Sequence, residues 1–416
     1  MKHLLLPFCI LGLCACTPKT HQETDQWRGP GRSGIYPGTN LLHEWPAEGP
    51  VLEWTLEGLG DGFIVPVFAG DRFLITGKKD STAILYCYTV EKEKLWETPL
   101  GREWVTSFPG SRSASTIIDD RVYVGTGMGD LYCLDLADGT LVWHKTFGEA
   151  YEGQYPFHGH SESPVVWEDR VFWTPGGEHQ NVVALDRMTG ELIWESPGKG
   201  ERSAYNPGQL VFTPEHTLFV TFSAYNLLAF DVEDGRLVWI HPQDNTPVDK
   251  RQPGNGDTHA NGVISDGKTL HYMAGDGNCG VALALEEDGD GIRELWRNRE
   301  MDGFMGGLLR MGDWLYGSAS SSPYLLSVDA HTGTIRDSLR LGSGAIIACD
   351  SLLFHYSQRG EMALVSQKDG DLDLLSSFKI TGGTGLHFSH PVIHRGRLYL
   401  RRGDALFAYS IAGEPA

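Results

Sequence analysis

The sequence is short of three things. No long stretch carries apolar residues at helical spacing, which argues against a helical bundle or a layered α/β fold. Positive charge is scarce, with 34 Lys and Arg against 54 Asp and Glu and a formal net charge of −20. Such a chain repels phosphate backbones, so no nucleic acid partner is expected. Cysteine is sparse as well: there are seven, with no CxxC pair and no cysteine-rich metal spacing, so no metal site is expected. The one basic run, RLYLRR at residues 397–402, is too small to reverse the sign and reads as a solvated strand edge.

What is abundant is glycine, at 52 of 416 residues, and aromatic side chains, with 12 tryptophans. That mixture favours many short strands joined by tight turns. The N-terminus has a targeting pattern: Lys2, an apolar run over residues 4–13 too short to span a bilayer comfortably, then Leu13-Cys14-Ala15-Cys16. The last four residues resemble a bacterial lipobox. Residues 1–15 are expected to be a lipoprotein signal peptide and Cys16 the lipidated residue. Residues 16–26 would be a polar tether, and residues 27–416 the folded domain. Thr17 is not the aspartate that favours inner-membrane retention in enteric bacteria. The expected location is therefore the outer membrane, facing the periplasm, with membrane attachment through the lipid alone.

One unit organises the rest. Residues 131–143 read LYCLDLADGTLVW, and close copies recur at 183–194 (VALDRMTGELIW) and 228–239 (LAFDVEDGRLVW). Each is an alternating strand, an acidic-glycine turn and a second strand ending in tryptophan. Looser copies lie at 85–96, 283–296, 326–337 and 364–374. Cys87 and Cys133 fall in the slot that holds Ala184 and Ala229 in other copies, so they read as small core residues. With two further strands before each unit, seven complete repeats can be laid out. The last unit, residues 387–411, supplies only three strands, and an orphan strand at 51–56 supplies the fourth. The expected fold is all-β: an eight-bladed β-propeller of four-stranded antiparallel blades, its last blade closed by the N-terminal strand. Six tryptophans, at 54, 96, 143, 194, 239 and 296, would then wedge between neighbouring blades.

The pattern A-L-D-x-x-T-G-x-L-x-W, clearest at 184–194, resembles the repeat of pyrroloquinoline quinone (PQQ)-like propellers. The likeness covers nearly the whole mature chain and is nearest to a non-enzymatic, outer-membrane assembly lipoprotein-like and uncharacterised secreted branch. The enzymes of the family pair PQQ with calcium and carry a disulfide between adjacent cysteines. Here no two cysteines are adjacent and no CxxCH haem motif is present. PQQ with calcium is therefore unsupported, and no cofactor is expected.

Function must come from where the copies differ, in the loops that converge at the centre of one face. Those positions hold Arg112; His158, His160 and Glu162; Tyr205 and Asn206; Asp257, His259 and Asn261; and His387 and His390. Arg112 would anchor a polar or anionic ligand and the histidines would act as donors or bases. His158 and His160, two apart on a strand, would face one side, and a metal bound between them is a further reading of the pair. The alternative is that these residues only satisfy buried backbone groups. Connectors 148–157 and 243–256 would rim the same mouth. Acidic sequences at 276–278, 288–291 and 369–371 lack EF-hand spacing and read as hairpin turns between outer strands. The expected function is a monomeric, lipid-anchored envelope module that binds a protein partner or a polar ligand, carbohydrate included. The alternative is an enzyme with a central-channel site, quinoprotein-type or carbohydrate-active; no catalytic residue is assigned.

Overall fold

The computed structural model describes residues 25–147, 155–243 and 245–413. Its strands form eight four-stranded antiparallel sheets. Seven are simple meanders, running from Val67–Ala69, Arg72–Lys79, Thr82–Thr89 and Lys94–Arg102 in blade one to Gly344–Cys349, Leu352–Ser357, Glu361–Lys368 and Asp371–Lys379 in blade seven. Blade eight is composite. Val392–His394, Arg397–Arg402 and Ala405–Ser410 come from the C-terminus, and Leu52–Leu56 pairs antiparallel with Ala405–Ser410 from the other end of the chain. This is the expected eight-bladed propeller, shut by a strand from each terminus.

The recurring motif has a physical explanation in each of its letters. Asp186, at the end of its strand, accepts hydrogen bonds at Oδ1 from the Met188 and Thr189 amides (2.9 and 2.8 Å) and so shapes the turn. Gly190 follows at φ 71°, a region costly for any side chain, and a Cβ there would lie 2.7 Å from the Trp143 ring of the preceding blade. The same indole donates Nε1–H to the Arg187 carbonyl (3.0 Å). Gly139, Gly235 and Gly333 lie beneath Trp96, Trp194 and Trp296 in the same way. Each of these tryptophans thus docks on the hairpin of the next blade.

The small slot in the third strand is the other side of this device. Cys87, Cys133, Ala184, Ala229, Ala282 and Ala408 stand directly opposite Trp96, Trp143, Trp194, Trp239, Trp296 and Trp54. A larger residue there would push the indole out of the seam. Cys87, Cys133, Cys279 and Cys349 are buried free thiols.

Three regions depart from the sequence-based expectation. The run at 397–402 is no solvated edge. Arg401 is fully buried, and donates to the carbonyls of Gly403 (2.9 Å), Ile64 (2.8 Å), Thr76 (2.6 Å) and Gly60 (3.1 Å). It ties blade eight to blade one at the closing seam, and burial lowers its pKa to about 9. The turn at 276–278 joins Thr269–Ala274 to Cys279–Leu285, the second and third strands of blade five, so it sits at the loop-bearing mouth. The sequences at 288–291 and 369–371 do turn between outer strands.

The third departure is the segment before the first blade. Asp25, counted in the sequence with the tether, exchanges two backbone hydrogen bonds with Ile117 on the innermost strand of blade two (3.0 and 2.7 Å). From there the chain crosses the central channel. Ile35 bridges Ala348 on the innermost strand of blade seven, where Tyr36 N–H donates to the Ala348 carbonyl and Ala348 N–H to that of Gly34 (2.8 and 2.9 Å). Residues 25–38 therefore stop one end of the channel and cap the open edges of two inner strands.

Candidate functional site

The other end of the channel is open. Loops that lead from the outer strand of one blade to the inner strand of the next surround a cavity of about 440 Å³. Its walls include Phe63, Phe108, Phe304, Phe388, Tyr205 and Met305, and its floor includes Trp27 of the crossing segment. The rings form a connected set: Phe63 and Phe108 lie 5.8 and 6.0 Å from Phe388, and Phe108 meets the His158 ring edge-on at 5.1 Å. Polar groups on the lining are Arg112, His158, Asp276, Gln358 and His390, with a few hydroxyls.

Among the expected site residues Arg112 and His158 face this cavity, together with Tyr205 and His390. Arg112 is not disposed as a free charge anchor. Its guanidinium donates to the carbonyls of Phe108 and His158, and more distantly to Ser107 (3.4 Å) and Gly110 (3.3 Å). It also lies 5.9 Å from the Phe63 ring centroid. Most of its donors are spent on backbone that shapes the mouth, so it holds the loop 107–112 against residue 158. His158 Nδ1 pairs with Ser107 Oγ at 3.0 Å, and burial followed by the Arg112 charge lowers its pKa.

The remaining candidates are elsewhere. His158 and His160 do not share a side: the chain turns at 157–158 and Gly159 adopts φ 82°. His160 is 0% exposed, packs 4.6 Å from the Trp173 ring and bonds to the Thr174 carbonyl through Nε2 (3.1 Å). Since a carbonyl only accepts, that nitrogen carries the proton. Glu162, also 0% exposed, accepts from the Thr174 amide and hydroxyl (2.8 and 2.5 Å). Burial raises its pKa to about 7 and lowers that of His160 to about 4. His259 is the equivalent peg two blades further round the ring, with Nε2 donating to the Ala224 carbonyl (3.2 Å). Asn261 links the Met273 and Gly303 carbonyls (both 2.9 Å) to the Gly307 amide (2.7 Å). Asn206 is buried against Pro207, whose carbonyl accepts from its amide (3.0 Å). Asp257 pairs with Arg202 at 2.5 Å. His387 bonds the Tyr356 hydroxyl at 2.5 Å and covers Gly360. These seven residues fasten loops to blades and lie off the cavity. Connector residues 148–154 and 244 lie outside the described residues.

The residues that sequence reasoning passed over are in the crossing segment. Arg28 and Arg32 are buried, at 3% and 7% exposure. Arg28 donates to the Leu308 carbonyl of blade six (2.8 Å), the Ile346 carbonyl of blade seven (3.3 Å) and His390 Nδ1 beside blade eight (3.2 Å). An arginine can only donate, so His390 Nδ1 is unprotonated; burial and then the Arg28 charge hold its pKa well below the usual value. Arg32 reaches the opposite wall, donating to the carbonyls of Ser163 (3.1 Å) and Pro164. Burial lowers both guanidinium pKa values to about 10, so both stay charged. Two arginines four apart around Gly-Pro-Gly were the available signal.

Arg112 on the lining and Arg28 beneath it direct most of their donors to backbone carbonyls. Among the described residues no group of three or more His, Cys, Asp or Glu side chains could hold a metal ion.

Comparison with known proteins follows the fold. A family model described as "Outer membrane protein assembly factor BamB" matches residues 81–339. The assembly factor BamB of Shewanella oneidensis is 24% identical over 325 residues, 76% of this chain and 77% of that protein. A polyvinylalcohol dehydrogenase from a Pseudomonas species is 24% identical over 160 residues, but the match spans only 33% of this chain and 24% of the enzyme. The crystal structure of BamB from Moraxella catarrhalis superposes with a TM-score of 0.63 at 14% identity, covering 87% of this chain and all of that one.

Proposed function

Because the chain belongs to the family described as outer membrane protein assembly factor BamB, a branch of the PQQ-like propellers, we propose that it is an envelope scaffold that binds a protein partner through the open mouth of its channel. One observation carries this: the mouth is ringed by exposed apolar side chains over an aromatic cavity. Phe157 is 52% exposed, Phe108 44% and Leu386 42%, with Val105 nearby on the same loop as Phe108. Aromatic anchors around a pocket are the usual energetic centre of a protein interface. Two features argue against a small anionic ligand: the committed guanidinium of Arg112 and the net charge of −20. Lipidation at Cys16 would hold the propeller at the outer membrane, on its periplasmic side. The enzymatic alternative stands second; its support is the partial match to the dehydrogenase.

The test is site-specific photo-crosslinking in the native envelope. A crosslinker at position 108 or 157 should give one discrete protein adduct, and one at position 192, on an outer strand, should give none. Equal labelling at all three positions would sink the proposal. Separately, Cys16→Ala should move the protein from the membrane to the soluble periplasmic fraction; retention in the membrane would remove the anchor from the picture.

A further inference from the structure

From the grip on residues 25–38 we infer that the lower channel is a peptide-binding site, that its ligand is the chain's own N-terminal segment, and that this occupancy makes the upper cavity a blind pocket. The site recognises a short segment with an indole followed by two cations four residues apart.

The geometry supports a ligand more than a buried strand of the core. Each blade has its full four strands without this segment. The contacts are those of a docked peptide: backbone pairing at each end, to Ile117 and Ala348, and two charged side chains reaching opposite walls. The receiving groups are backbone carbonyls next to or within the innermost strands: Leu308 and Ile346 for Arg28, Ser163 and Pro164 for Arg32. A ring of inner strands leaves such carbonyls facing a channel, and charge-assisted donors satisfy them better than neutral ones. The segment's far end is solvated, with residues 37–40 all exposed before the chain continues to Leu41. On the cavity side Trp27 lies edge-on to His390 at 5.1 Å, and Arg28 fixes that histidine from below. Trp27 and His390 both line the upper cavity. Whatever enters from above rests on the segment, so occupancy of the two sites is linked, each favouring or opposing the other by the same factor.

The experiment uses the full chain with a specific protease site inserted after Thr39, in the exposed stretch. After cleavage the protein is passed through gel filtration, and a fluorescent synthetic peptide of residues 25–38 is added in excess. The segment should co-elute with the propeller and then exchange for the labelled peptide. A cleaved chain carrying Arg28→Met and Arg32→Met should release its segment at least tenfold faster. If the segment leaves the unsubstituted protein at once while the propeller stays folded, the channel is not a peptide site. If cleavage unfolds the propeller, the segment belongs to the core and the inference also fails. Neither result touches the partner-binding proposal, which crosslinking at positions 108 and 157 decides.

Discussion

The two ends of the channel are built from the same eight inner strands, yet one is crossed by a charged segment and the other is lined by aromatic rings. At the lower end short turns join first and second strands, and a segment carrying two buried arginines crosses the space between them, forming part of the lining of a cavity of about 840 Å³ beneath it. At the upper end longer connectors cross between blades and bring phenylalanines from blades one, two, six and eight to a common rim. The difference teaches that a repeat specifies the wall of a channel and leaves its two openings to whatever sequence lies outside the repeat.

The largest effect should come from emptying the lower end. Arg28→Met together with Arg32→Met leaves several buried carbonyls without donors, and should cost about 3–5 kcal/mol of stability, measured by urea denaturation. A loss below about 1 kcal/mol would mean that water replaces the guanidinium groups and the two ends differ less than described. The histidine pair is the next lever. His160→Ala opens a hole against Trp173 and strands the Thr174 carbonyl, and should cost about 2–3 kcal/mol. His158→Ala, at the open rim, should cost less than about 1 kcal/mol. Equal losses would contradict the assignment of one to the wall and the other to the mouth.

Charging the rim should separate binding from stability. Phe108→Asp with Phe157→Asp should shift stability by no more than about 0.5–1 kcal/mol, while partner affinity, read by titration once the partner is in hand, should fall tenfold or more.

Acid should weaken the walls by a smaller margin. Buried His160, His259 and His355 have pKa values near 4, below the unfolded value of 6.5. The unfolded chain thus binds protons that the folded chain refuses, and stability is lost as pH falls from about 6.5 toward 4. Glu162 and Glu103, raised to about 7, act in the opposite sense and take stability away as pH rises from 4.5 through 7. His160→Gln should flatten the acid limb, seen by comparing urea midpoints at pH 5 and pH 8; an unchanged slope would mean His160 is charged in the fold.

Most of the wall was legible in the sequence, because every blade restates it. The Asp-x-x-x-Gly turn, the tryptophan and the small residue opposite it depend on local geometry repeated around a ring, and repetition makes a spacing visible. The closing strand at 52–56 could be placed for the same reason, as the piece that one unit lacked. The openings were legible only in part. Arg112, His158, Tyr205 and His390 do line the mouth, but the seven residues counted with them, His160 and His259 among these, do not. Which way a loop residue points depends on turns such as that at Gly159, and no periodicity reports on it. Arg28, Arg32 and Arg401 were missed for a related reason. An arginine ordinarily marks a surface, and these three are buried only because backbone carbonyls from distant blades converge on them.

The crossing segment also sets how the molecule carries load. Tension applied ahead of residue 25 meets the backbone bridge to Ile117 first, then the grips of Arg28 and Arg32 on opposite walls, then the pairing with Ala348. Only past these does it reach Leu52–Leu56, the strand whose withdrawal would open the ring. The closure is thus shielded from a tug at the N-terminus, much as a cord is clamped before it reaches its terminals.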